Sequence, residues 1–307
     1  MTRPDHDRAR LRAARLSLVG AVVVLALKVI AWLATGSVGL ASDAAESTVN
    51  VVAGFTLLLA LRLARTPPDY EHPYGHEKVE DLSSAFEAAL ILGAALLIAG
   101  TAVGRLIDPQ PLGRMQVGLG VAAASAALNA GLGAWLWREG RRLRSVALRT
   151  NARHLGTDVL TSVGVIIGVA AVGVTGVLRL DPLIALVVAA HIAVQGVRVL
   201  QRSVSQLMDE RLPPDEEARV IGALEGHPEI LGYHRLRSRR AGRARFMEVD
   251  VFVAPTMPVA DAHALVERVE DEIRRALPNL VSTVHVEPFV PGVREGATAP
   301  RDEYPPD

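Results

Sequence analysis

Half of the 307 residues are apolar, 21% are charged, and 33 basic side chains balance 33 acidic ones. That balance argues against a nucleic-acid binder, which carries a basic excess. Without cysteine there are no disulfides, CxxC redox pairs, thiolate zinc fingers or iron–sulfur clusters, so any bound metal is held by nitrogen and oxygen.

The mean hydropathy of +0.27 is high for a soluble chain of this size, and the apolar residues are segregated. About 20 mostly apolar residues cross a bilayer core of ~30 Å. Six such runs occur in chain order: Leu16–Thr35, Val38–Leu63, Ser83–Ile107, Met115–Trp137, Val146–Gly173 and Leu180–Leu200. The first is too long for the h-region of a signal peptide, and Thr35-Gly36-Ser37 leads straight into the next run. Basic residues cluster in the N-terminal segment (Arg3, Arg8, Arg10, Arg12, Arg15) and in two loops (Arg62, Arg65, Lys78; Arg138, Arg141, Arg142, Arg144, Arg149). The opposite side offers only Arg105, Arg114 and Arg179, which predicts a cell (inner or plasma) membrane protein with both termini cytoplasmic.

From Met208 the chain turns polar. Leu212-Pro213-Pro214-Asp215 starts a helix. Gly232–Arg239 reads as a strand and Arg240-Ala241-Gly242 as a turn. Met247, Val249, Val251 and Val253 then alternate with polar positions as in a half-buried strand. Leu265, Val266, Val269, Ile273 and Leu277 recur at helical spacing, and Val281–Val286 forms a last strand. The expected fold is an α-helical membrane protein: six transmembrane helices plus a C-terminal cytoplasmic α+β domain of order αββαβ. Its parts are an N-terminal cytoplasmic segment (1–15), a transmembrane domain (16–207), a cytoplasmic domain (208–288) and a disordered tail (289–307).

Ionisable groups at mid-bilayer cost ~2.5–3.5 kcal/mol even on the gentler scales, so those that remain point to function. Glu46 and Asn50 in the second run, and His154 and Asp158 in the fifth, are both i, i+4 pairs, and each pair shares one helix face. Together they offer four N/O ligands for a tetrahedral divalent cation, with Glu46 and Asp158 supplying the two balancing charges. Lys28, Asn129, His191 and Gln195 lack comparable partners and read as structural or interfacial.

Taken together, three segments and their order resemble the cation diffusion facilitator family: Ser42-Asp43-Ala44-Ala45-Glu46-Ser47-Thr48-Val49-Asn50, His72-Pro73-Tyr74-Gly75-His76-Glu77-Lys78-Val79-Glu80, and Asn151-Ala152-Arg153-His154-Leu155-Gly156-Thr157-Asp158. Leu207-Met208-Asp209 followed by Leu212-Pro213-Pro214 resembles that family's junction to its cytoplasmic domain. The resemblance implies a homodimeric, proton-antiporting exporter of divalent metal with a metallochaperone-like (ferredoxin-like) cytoplasmic domain. The family's second-span pair is usually Asp or His followed by Asp; Asn50 here removes one negative charge and one proton-binding group.

The resemblance also implies a second, cytoplasm-facing metal position at Asp69, His72 and His76, although Pro73 and Gly75 equally suit a plain turn. It implies a regulatory metal near the dimer interface at His234, Asp250, His263, His285 and Glu287, and an inter-subunit contact between Lys78 and Asp209. The donor set favours Zn²⁺, with Fe²⁺, Mn²⁺ and Co²⁺ as alternatives, and disfavours Cu⁺. No GxxxxGK[ST] motif occurs, so protons rather than a nucleotide are the expected energy source. A membrane-embedded metalloenzyme and a membrane-anchored metal sensor are the rival readings; the chain carries no HExxH.

Overall fold

The computed structural model describes residues 3–143 and 146–290. The expected tail, beyond Phe289 and Val290, lies outside those residues, as does Arg144. The chain divides into two compact units, residues 1–58 with 83–200 and residues 59–82 with 201–307. The 59–82 segment thus groups with the polar tail.

Among the described residues, six helices are long and apolar enough to cross a membrane. They are α1 (Arg3–Thr35), α2 (Val38–Leu63), α3 (Val79–Ile107), α4 (Met115–Arg142), α5 (Val146–Thr175) and α6 (Leu180–Leu207). Helix α1 runs back through most of the expected N-terminal segment, and α3 begins four residues before the apolar run does. The first unit inverts the pattern of a soluble protein. Many of its buried residues are small, including Ala31, Ala95, Ala102, Ala122, Ala185 and Ala189, while Leu33, Leu96, Leu97, Leu160 and Val187 are exposed. Lipid is as apolar as leucine, so close helix approach comes from small side chains. Gly118 lies under Thr35 and Gly168 under Ile184, where a Cβ would stand 2.1 and 2.0 Å from the facing side chain.

The α1–α2 break is built from caps. Gly36 takes φ +67°, the left-handed geometry that ends a helix without strain on a Cβ. Ser37 Oγ accepts from Leu40 N (3.1 Å) at the start of α2. Asp181, from α6, accepts from Val38 N (2.8 Å) and Gly39 N (3.2 Å). A carboxylate on three donors at a helix N-terminus (Ser37 Oγ also donates to it, 2.5 Å) satisfies groups that lipid could not.

Lys28 is not the unpartnered residue expected from sequence. Its Nζ lies 2.7 Å from Asp43 Oδ1, with side chains 3% and 4% exposed, and Ser162 Oγ donates to both Asp43 oxygens (2.8 and 3.0 Å). This network ties α1, α2 and α5 together.

The second unit adds α7 (Pro214–Glu225), β1 (Gly232–Ala241), β2 (Ala244–Val253), α8 (Val259–Ala276) and β3 (Leu280–Pro288), the expected αββαβ order. The sheet order is β1-β2-β3, antiparallel between β1 and β2 and parallel between β2 and β3. Met247, Val249, Val251 and Val253 pack with Val220 and Leu224 of α7 and with Leu265, Val269 and Ile273 of α8 into one core. Both helices therefore cover the same sheet face. At the hairpin tip Gly242 (φ +53°) leaves no room for a Cβ, which would meet Glu77 O at 2.6 Å. There Ala244 N donates to Glu77 Oε2 and Gly242 N to Asp81 Oδ2. Glu216 accepts from Arg245 (2.8 and 2.9 Å) and Arg240 (3.0 Å), and the Arg245 hydrogen bonds chiefly hold its pKa down at about 2.

Removing one member of a buried ion pair strands the other, at ~3–5 kcal/mol. Asp43→Ala should therefore destabilise the detergent-solubilised protein by about that amount in an unfolding titration, whereas Lys28→Met combined with Asp43→Leu should cost clearly less. Glu216 has a folded pKa below the ordinary 4.5, so its contribution is present above that value and lost as pH falls towards 2. Hydrogen exchange of the β2 amides should accelerate across that window, and Glu216→Gln should flatten the acid dependence while costing about 1 kcal/mol at neutral pH.

Candidate metal centre

Among the described residues, three groups of ligand-type side chains occur, one among the helices of the first unit and two within the second. In the first unit, Glu46 and Asn50 from α2, Glu87 from α3, His154 from α5 and Gln195 from α6 line one cavity of about 180 Å³. Its remaining walls are apolar and include Ile91, Ala94 and Ile192. Asp158, one turn from His154, is buried, with its Oδ2 3.8 Å from His154 Nε2. Glu46 Oε2 is buried with no hydrogen-bond partner, the kind of group whose desolvation a cation or a proton would offset. Among the described residues, ligand atoms of three or more His, Asp or Glu side chains come within 4.8 Å of one another only in the two groups of the second unit. The intramembrane residues line a chamber, and Glu46, His154 and Asp158 are not drawn to one point.

Two cavity residues were not expected from sequence. Glu87 is a lone carboxylate inside an apolar run, and the cost of intramembrane charge was the signal that marks it. Gln195, read as structural, lines the cavity and lies 2.6 Å from His191 across one helical turn.

In the second unit, Asp69, His72 and His76 form a tight group in the loop. His72 N donates to Asp69 Oδ1 (2.7 Å), His72 Nδ1 lies 3.3 Å from that oxygen, and His76 Nε2 lies 3.4 Å from Asp69 Oδ2. The backbone donor at His72, with both imidazoles beside it, holds the Asp69 carboxyl below its usual range. His76 Nδ1 is buried without a hydrogen bond. Pro73 and Gly75 shape the turn, as expected, and the turn draws the three side chains together.

The third group follows from strand register. His234 pairs with Asp250 across β1–β2, and Asp250 with His285 across β2–β3; Glu287 lies two residues further along β3. All four therefore share the sheet face that the helices leave uncovered. His234 Nε2 lies 3.5 Å from Asp250 Oδ2 and 3.4 Å from Glu287 Oε2, and His285 Nε2 lies 3.9 Å from Glu287 Oε1. A bulge after His234, with Arg235 at φ +52°, brings Arg235 Nη1 to 3.2 Å from Asp250. The structure does not bring His263 to this group. It stands on the solvent side of α8, 3.5 Å from Glu267, because α8 packs on the opposite sheet face.

Lys78 and Asp209, expected to meet across subunits, meet within one chain: Nζ lies 2.8 Å from Oδ1. Arg239 joins at 3.2 Å, and the Lys78 hydrogen bond is the main cause holding the Asp209 carboxyl below its usual range. The chain's own fold supplies the partner because Asp209 ends α6 in a left-handed turn (φ +63°).

Two family models match this chain. One, for the cation efflux transmembrane domain, spans residues 14–208; the other, for the cation efflux protein cytoplasmic domain, spans residues 212–289. The chain belongs to the cation diffusion facilitator family. An uncharacterized transporter of Synechocystis, sll1263, is 44% identical over 276 residues, 89% of either chain. The cation-efflux pump FieF of Cronobacter sakazakii is 31% identical, covering 95% of this chain and 98% of its own, and that of Yersinia pestis is 32% identical, covering 92% and 95%. A solved structure of the metal-bound C-terminal domain of the CzcD transporter from Thermotoga maritima is 35% identical, covering 24% of this chain and 87% of its own, with a TM-score of 0.24. Family members are cation-efflux transporters and not enzymes, so the metalloenzyme reading is set aside.

Proposed function

We propose that this facilitator exports divalent metal cations from the cytoplasm in exchange for protons, both ions using the cavity among α2, α3, α5 and α6. The observation that carries the reading is a chamber within membrane-crossing helices that is lined by carboxylate, amide and imidazole groups. Open to the cytoplasm, deprotonated Glu46, His154 and Asp158, with the Asn50 carbonyl, bind M²⁺. Open to the other side, protons occupy the same atoms and displace the cation, because ligation requires deprotonated ligands. The inward proton gradient thereby drives metal out, and no bond is made or broken.

Zn²⁺ is the first candidate, since four N/O ligands including one imidazole suit a tetrahedral ion; Fe²⁺, Mn²⁺ and Co²⁺ share the same ligand chemistry. The exporter works as a homodimer in the cell membrane with both termini cytoplasmic. The loop group (Asp69, His72, His76) and the sheet-face group (His234, Asp250, Glu287, with His285 at its edge) act as regulatory metal positions. His76 Nδ1, buried without a hydrogen bond, supports the loop assignment.

In proteoliposomes the wild-type chain should carry metal against an opposing proton movement, and His154→Ala or Asp158→Ala should reduce flux to the level of protein-free vesicles. Wild-type flux in either variant would refute the assignment.

A further inference from the structure

We infer that Glu87 is a cargo-binding residue of the transport cavity, supplying from α3 the negative charge that Asn50 leaves out of α2. The inference rests on the transport reading above and deepens it. Three observations carry it. Asn50 and Glu87 line the same cavity, together with Glu46 and His154. Glu87 makes no hydrogen bond or ion pair with another described residue, so no structural partner accounts for a carboxylate among the apolar residues of α3. It also stands half-buried four residues into the apolar run that begins at Ser83, about 6 Å along the helix axis, with apolar neighbours on both sides.

Elsewhere in the same unit, buried charge is matched by a fixed partner: Lys28 by Asp43, and Asp181 by the α2 N-terminus. Glu87 has only the cavity. A divalent cation there meets Glu46 and Glu87 across the chamber, with Asp158 behind His154, and three carboxylates outweigh its charge. With Asn50 in place and Glu87 removed, only two remain. Glu87 thus places on α3 a carboxylate facing the cavity where Asn50 places an amide on α2.

The test is a flux series in proteoliposomes, normalised to reconstituted protein, over Zn²⁺, Mn²⁺, Fe²⁺ and Co²⁺. Glu87→Gln should raise the half-saturating metal concentration about tenfold or more, as loss of a charged group at a metal site does, with a smaller change in the saturated rate. Asn50→Asp introduced into Glu87→Gln should restore the half-saturation towards wild type, because it returns the charge to the same chamber. A purely structural role would lower the saturated rate and would not be rescued from α2. Wild-type half-saturation in Glu87→Gln, or a double variant no better than the single one, overturns the inference. His154→Ala separates the two levels. If it abolishes flux while Glu87→Gln behaves as wild type, only the Glu87 assignment falls; if it keeps wild-type flux, the transport reading falls and takes this inference with it.

Discussion

A charge moved from water into hydrocarbon must find a fixed partner or a polar chamber, and the first unit is organised by that demand. Lys28 and Asp43 use the first solution: 2.7 Å apart, almost wholly buried, with Ser162 donating to both carboxylate oxygens. Asp181 uses it too, by capping the start of α2. Glu46, Glu87, His154 and Asp158 use the second. None has a close, fully buried partner of the Lys28–Asp43 kind, His154 and Asp158 lying 3.8 Å apart, and three of them open on the cavity. A group whose charge is left uncompensated in the resting protein is one that a mobile ion can compensate, and that separates a transport residue from a structural one in the same helices.

The second unit solves a different problem with the same residue types. Helices α7 and α8 both pack on one face of the three-stranded sheet, which leaves His234, Asp250, His285 and Glu287 on the other. The hairpin tip of β1 and β2 accepts the Glu77 and Asp81 carboxylates through backbone donors at Ala244 and Gly242. The loop that bears Asp69, His72 and His76 is thus anchored within the unit that carries the sheet-face group. Both groups lie outside the helices' apolar spans, where water can exchange ligands freely.

Periodicity and hydropathy made the six helices and the αββαβ order legible, because each depends on local pattern: runs of about twenty apolar residues, and alternation at Met247, Val249, Val251 and Val253. The i, i+4 pairs Glu46/Asn50 and His154/Asp158 were legible for the same reason. What pattern could not give was pairing between helices. Lys28 and Asp43 are fifteen residues apart on different spans, and only packing brings them together. Glu87 stands alone in its span and Gln195 pairs only with His191 of its own helix, so nothing local links either to Glu46. His263 was grouped with the sheet-face residues by the family resemblance, yet α8, which carries it, covers the opposite face. The side of the sheet on which a helix packs, invisible to local periodicity, separates it from His234.

The direct test is simultaneous recording of metal and proton movement in sealed proteoliposomes, with the pH gradient imposed or collapsed by an ionophore. If metal and protons exclude each other from one chamber, metal transport should be accompanied by proton movement in the opposite direction, and an imposed gradient should drive metal against its own gradient. Metal flux that is unchanged when the pH gradient is collapsed, with no accompanying proton signal, would contradict it.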